Sequence, residues 1–222
     1  MTEDPVAALE KLRRRHDRNM RTAHAKGLLQ GICSMLRPGD LAIDCGANVG
    51  AVTGPLAATG AEVICFEPDP FAFSKLQARF ADTPNVALHN AAVGVATGHI
   101  TLKRATNFAD NPKGASVKST ILDGGRGIDD SDGIEVELID FPAFLARTLA
   151  DRGEIAFLKM DIEGAELDIL ETMERDNLFS GIRLTVAETH ERKFKSLRPR
   201  FKALKERIGE RYPREQVNLD WI

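Results

Sequence analysis

PGDLAIDCGANVGAVTGPLAATGAEVICFEPD, residues 38–69, decides the fold. Leu41-Ala42-Ile43 is a short apolar run that enters the turn Asp44–Gly50. Closed by glycines in this way, the run reads as a strand buried on both faces. A second apolar run, Val63-Ile64-Cys65-Phe66, ends in Glu67. Strand, glycine turn, helix, strand and terminal acid make the first half of a nucleotide-binding βαβ unit.

The turn selects the nucleotide. A dinucleotide fingerprint, G-x-G-x-x-G, needs its second glycine so that a pyrophosphate can approach the backbone. Asn48 holds that position, and the turn reads D-x-G-x-N-x-G with Asp44 at its head. An acid there repels a pyrophosphate but suits a ligand with an ammonium group and a sulfonium. Glu67 stands about 20 residues beyond the turn, where a carboxylate accepts both ribose hydroxyls. A ribose without a phosphate chain, joined to a charged amino-acid tail, describes S-adenosylmethionine. On this reading Gly46 and Gly50 let the backbone approach the ligand. Asp44 and the amides opening the next helix hold its amino and carboxylate groups. Simple turns also use glycine, but Asn48 and Glu67 at matching distances favour the cofactor.

Four stretches, LAIDCGANVG (41–50), CFEPDP (65–70), HNAAVG (89–94) and LKMDIEGAE (158–166), resemble in order and spacing the FkbM-type methyltransferases. The resemblance covers roughly residues 37–190. It implies an S-adenosylmethionine-dependent enzyme that methylates a hydroxyl on a sugar, polyketide or similar small molecule. It also points to Asn90 as the side chain against the adenine, although Asn is equally a turn former. Two features depart from the pattern. Gly54-Pro55 interrupts the helix after the glycine turn, which predicts a short or kinked helix. The C-terminus looks short of the usual two-strand hairpin, which leaves edge pairing and homodimerisation open.

The remaining elements follow in order. Residues 5–36 read as helix, broken near Gly27, which packs on the sheet or lids the cofactor. Asp69 and Pro70 open a helix with a Phe73, Leu76, Phe80 stripe. Strands are expected at Val86–Asn90, His99–Arg104, Ile134–Ile139, Glu154–Asp161 and Arg183–Glu188, with a last one in Gln216–Ile222. Helices are expected at Phe141–Leu149, after Gly164, and at Arg198–Ile208. Residues 105–133 show no periodicity, and substrate recognition is placed there. This alternation predicts an α/β fold: a Rossmann-like, doubly wound, mostly parallel sheet of class I methyltransferase architecture over residues 37–222, preceded by a helical segment over 1–36.

Ligands of such sheets bind beyond the carboxyl ends of the strands, where strand order reverses. Asp44, Glu67, Asn90, Asp161 and His190 stand at those ends. A hydroxyl acceptor must lose a proton, which calls for a base or a metal. Asp161 is the best-placed carboxylate, with Glu163 and His190 next; capping the following helix is an equal use for Asp161. Two carboxylates are too few to claim a metal. Lys159, on a buried strand, needs a partner such as Glu188. Methyltransferases acting on the exocyclic amines of bases resemble one another in an [Asn/Asp/Ser]-Pro-Pro-aromatic motif after the fourth strand; this chain has Asp161-Ile162-Glu163-Gly164 there, which disfavours such substrates.

Composition narrows the class further. The chain has 222 residues, 43% hydrophobic and 28% charged, with a net charge of −3. That is ordinary for a globular domain and argues against a general nucleic-acid binder. The start lacks an apolar stretch, so no signal peptide is expected, and no run is long enough for a membrane helix. Cys33, Cys45 and Cys65 are an odd count without metal-ligand spacing, expected as buried thiols in a cytoplasmic protein. Residues 11–26 and 192–214 are basic, and 123–140 acidic. Solvated faces account for these, and a rim attracting RNA or an anionic substrate is the sharper alternative. An RNA methyltransferase is therefore the runner-up; Asn48 disfavours an NAD-dependent oxidoreductase.

Overall fold

The computed structural model describes residues 5–111, 116, 119–122, 127–191 and 193–220. Most of residues 112–126 and the last two residues of the expected final strand lie outside that set. The elements are α1 (Pro5–Met35), β1 (Leu41–Cys45), α2 (Thr53–Ala57), β2 (Glu62–Phe66), α3 (Pro70–Phe80), β3 (Val86–His89), β4 (Ala91–Gly94), β5 (Gly98–Ala105), β6 (Ile128–Asp140), α4 (Phe141–Arg152), β7 (Phe157–Met160), α5 (Glu166–Arg175), β8 (Thr185–Ala187), α6 (Arg198–Arg211) and β9 (Val217–Asn218).

The main sheet has six strands in the order β3-β2-β1-β7-β8-β9, and every pairing is parallel. Strand order reverses between β1 and β7, so the switch point of a doubly wound sheet lies there. Alternate residues of each strand point to opposite faces. Leu41, Ile43 and Cys45 pack with Phe141, Leu145, Leu167, Leu170, Phe201 and Leu204 of α4, α5 and α6. Ala42, Val63, Cys65 and Phe157 pack with Ile32, Leu56, Leu76 and Phe80 of α1, α2 and α3. Both faces are covered, which is why every residue of β1 and β7 is buried rather than every second one.

Local chemistry explains several boundaries. α3 begins where the Asp69 side chain accepts the N–H groups of Phe71 and Ala72, with Pro70 at the first helical position. α2 is five residues long, as Gly54-Pro55 predicts.

The structure departs from the sequence expectations in several places. α1 runs through Gly27 without a break. A helix-interior glycine costs only about 1 kcal/mol, too little to stop a long helix. Ala91–Gly94, to which the sequence reading assigns no element, is a strand pairing parallel with β6. β6 starts at Ile128, inside the segment expected to lack structure, and pairs antiparallel with β5. These three form a separate sheet ordered β4-β6-β5. The strand expected over Arg183–Glu188 shortens to Thr185–Ala187. The three cysteines are free thiols, but Cys33 is only partly buried. Among the described residues no helix is long and apolar enough to cross a membrane.

Candidate active site

The turn after β1 is shaped by contacts within the protein. Gly46 has φ 77°, and a Cβ there would lie 1.8 Å from the Asp161 carbonyl oxygen. Glycine is therefore required for the turn to press against the end of β7. Gly50 has φ 81°, and a Cβ would lie 2.4 Å from the Phe80 ring. Its freedom serves packing on α3. Asn48 adopts a left-handed φ of 48°, which asparagine tolerates better than most residues. That conformation aims its N–H at Glu67 Oε2, 2.8 Å away.

Glu67 ends β2 as expected. Its Oε1 accepts the N–H of Asp69 at 2.8 Å. Each carboxylate oxygen offers two lone-pair sites, so one site on each stays available after these two bonds. Burial pushes the Glu67 carboxyl up to about 7, against the pull of the two amides. Asn90 lies just past β3, where its side-chain amide donates to the carbonyls of Glu67 (2.8 Å) and Pro68 (3.2 Å). It pegs the turn that carries Glu67.

Asp44 is fully buried and does not line the cleft. Thr53 donates its hydroxyl to Asp44 Oδ2 at 2.8 Å, and Lys159 Nζ stands 3.1 Å from Oδ1. Lys159 also donates to the carbonyl of Gly46 at 2.8 Å. The partner of Lys159 is thus Asp44, on the neighbouring strand in register with it, and not Glu188. Burial would lower the Lys159 pKa, but the charges of Asp44 and Asp161 hold it above its ordinary value. The ammonium locks the first residues of the glycine turn to β7.

A cleft opens at the switch point. Gly46, Asn48, Glu67 and Pro68 line one side, Asp161, Ile162, Glu163 and Ala165 another, and Ala91, Ala92 and Leu102 a third. Ser116, Ser119 and Thr120 complete the wall. Thr120 donates to the Glu163 carbonyl at 2.7 Å, and Asn48 Nδ2 reaches Ser116 Oγ at 3.4 Å. Among the described residues, none from α1 lines this cleft.

Asp161, Glu163 and His190 come together at the tips of β7 and β8. His190 Nε2 stands 3.8 Å from Asp161 Oδ1 and 3.6 Å from Glu163 Oε2. Glu163 has φ 59° and pairs with Lys193 at 2.9 Å. Burial raises the Asp161 carboxyl, opposed by Lys159 and His190. Burial would raise Glu163 too, but His190 and Lys193 hold it low. Burial, with the charge of Asp161, pushes Glu188 up to about 7. Burial would lower His190, yet Glu163 and Glu166 lift it to about 11.

Glu166 is the member that sequence reasoning missed. It is fully buried and accepts the N–H groups of Ile162 (2.9 Å) and Gly164 (3.0 Å). Its Oε1 lies 3.0 Å from His190 Nδ1. The signal was present, as the last letter of LKMDIEGAE, an acid two residues after a glycine turn.

Residues 44–211 match the model of the Methyltransferase FkbM domain. The chain is 31% identical over 182 residues to 31-O-demethyl-FK506 methyltransferase FkbM of Streptomyces tacrolimicus, covering 70% of this chain and 67% of that protein. A solved TehB-like SAM-dependent methyltransferase from Corynebacterium glutamicum matches at 22% identity with a TM-score of 0.23, covering 39% of this chain and 45% of that one.

Proposed function

The chain belongs to the FkbM methyltransferase family, and from that premise we propose that it transfers a methyl group from S-adenosylmethionine to a hydroxyl group of a small molecule. The observation that carries the cofactor is the Glu67 carboxylate. It is 5% exposed, lines the cleft at the switch point, and keeps one acceptor site on each oxygen. That pair of acceptors fits a ribose diol and offers nothing to a phosphate. Ala91, Ala92, Phe66 and Leu102 supply the apolar walls an adenine ring needs.

In this reading Glu67 holds the ribose and Asn48 fixes Glu67. Asn90 acts one step back, through the Glu67–Pro68 carbonyls. Asp44 acts with Lys159 on the shape of the turn and not on the ligand. The bound cofactor supplies an activated methyl carbon on sulfur. That methyl group would go to the acceptor hydroxyl, whose proton a carboxylate of this chain would take. Asp161 lines the cleft beside Gly46 and is the carboxylate we assign to that proton; Glu163 and His190 set its charge. A relative that methylates an oxygen, by its name, supports a hydroxyl acceptor.

Isothermal titration with S-adenosylhomocysteine tests the assignment, wild type against Glu67→Ala. Binding by the wild type and its loss in a folded variant is the expected result. Equal binding by both would remove Glu67 from the site.

A further inference from the structure

α1 is 31 residues long, yet only its last turns pack into the domain core. Leu28, Leu29, Ile32 and Cys33 lie with Leu56, Leu76 and Phe157. Residues 9–24 are exposed without exception, an arm of about 24 Å at a rise of about 1.5 Å per residue. Among the described residues six large hydrophobic side chains are exposed, and five of them, Val6, Leu9, Leu12, Met20 and Met35, are on this helix.

The apolar positions of the arm share one face. At 3.6 residues per turn, Leu9, Leu12, His16, Met20 and Ala23 fall in a stripe about 80° wide. That stripe lies on the side of the helix opposite Leu29, Ile32 and Cys33, which hold the helix to the domain. The domain therefore cannot cover the stripe while those residues stay packed. Charge is arranged around it. Residues 5–26 carry seven Lys or Arg against Glu10 and Asp17, a net of +5 (7 − 2), in a chain whose total is −3. Arg15 and Lys26 border one edge of the stripe, and Arg13 and Arg21 the other.

An apolar stripe bordered by cations narrows the partner. A second copy would lay two strongly basic helices side by side, which Coulomb repulsion opposes. A nucleic acid would take the cations and leave the leucines in water. An anionic phospholipid surface takes both: the acyl boundary receives the apolar stripe, and the headgroup phosphates receive the flanking cations.

We propose that α1 lies in the plane of an anionic phospholipid surface, with Leu9, Leu12, Met20 and Ala23 at the acyl boundary and Arg13, Arg15, Arg21 and Lys26 among the headgroups. The helix rests on the bilayer and does not cross it, in keeping with its lack of a long apolar run. The domain then stands on the far side of the helix, away from the lipid.

Cosedimentation of the full chain with vesicles tests this. Vesicles of phosphatidylcholine alone are compared with an equal mixture of phosphatidylcholine and phosphatidylglycerol. Binding to the mixed vesicles only is expected, falling as salt shortens the screening length from about 10 Å at 0.1 M to about 3 Å at 1 M. Leu9→Gln with Leu12→Gln should weaken binding about tenfold or more. Gln is nearly as good a helix former as Leu and both sites are exposed, so circular dichroism and melting temperature should not change. Arg15→Gln with Arg21→Gln should weaken binding about 25-fold, about fivefold for each cation. No sedimentation with the mixed vesicles overturns the proposal, as does a leucine double variant that binds like the wild type. Tighter binding to a single-stranded RNA than to the vesicles in the same buffer overturns it in favour of nucleic acid. A dimer in sedimentation velocity that the leucine variant dissociates overturns it in favour of a second copy.

Discussion

The backbone N–H of Asn48 donates to Glu67 Oε2 at 2.8 Å, joining the turn after β1 to the tip of β2. The two residues proposed to select the ligand are thereby one unit. A change at either reaches the other.

The first expected consequence concerns pH. The Glu67 carboxyl is raised to about 7, mainly by burial. An acid whose folded pKa exceeds its unfolded one contributes stability below the unfolded value and loses it as pH rises through the folded value. The ligand-free protein should therefore lose stability as pH climbs from about 4.5 to about 7, by about 1.4 kcal/mol for each pH unit crossed. Nucleoside affinity should move oppositely, rising over the upper part of that window as the carboxylate becomes an acceptor. Glu67→Gln should flatten both curves in denaturant melts and calorimetry.

Lys159→Met should be strongly destabilising. Lys159 is 4% exposed and Asp44 is fully buried. Removing the cation strands a buried carboxylate, at a cost of about 3–5 kcal/mol. Urea unfolding measures this. The double variant Lys159→Met with Asp44→Asn should recover much of the loss, which a simple packing defect would not.

The two turn glycines should fail differently. Gly46→Ala drives a methyl group into the Asp161 carbonyl and should displace the end of β7, so turnover falls together with nucleoside affinity. Gly50→Ala meets Phe80 and Leu76 instead. It should lower the melting temperature by about 2–4 °C for each kcal/mol lost, with a smaller effect on affinity. Melting curves beside calorimetry would distinguish them.

Asn90→Ala removes two hydrogen bonds from the turn that carries Glu67. The expected result is weaker nucleoside binding by about 1–2 kcal/mol, with the maximal turnover rate little changed. If turnover falls and affinity does not, Asn90 acts on the acceptor instead.

Much of this was legible in residues 38–69, because a two-faced parallel strand leaves an unbroken apolar run and a glycine turn leaves a spacing. β1, β2, the short α2 and the capped α3 all follow from local chemistry. The small sheet did not. Ala91–Gly94 is too short and too small-sided to declare itself a strand, and the start of β6 is acidic and lacks the alternation of a half-buried strand. Asp44 was visible as an acid at the head of the turn only by position; its partner, Lys159, is far away in sequence. No local pattern reports a cross-strand pair between residues 44 and 159. Glu163 and His190 were visible as polar tips; Glu166 behind them was visible only as the last letter of LKMDIEGAE, and its burial was not, since an acid in the first turn of a helix ordinarily faces solvent.

The parallel pairing of β1 with β7 also orders events during biosynthesis. Ala42 has its neighbour in Phe157, so the inner edge of β1 must wait for most of the polypeptide to be made. At ribosomal speeds that wait is on the order of ten seconds. Through that interval the edge of β1 that later pairs with β7 stands open. The pocket is therefore among the last features to form, and a truncated chain ending before residue 157 should expose a sticky half-sheet rather than a weak enzyme.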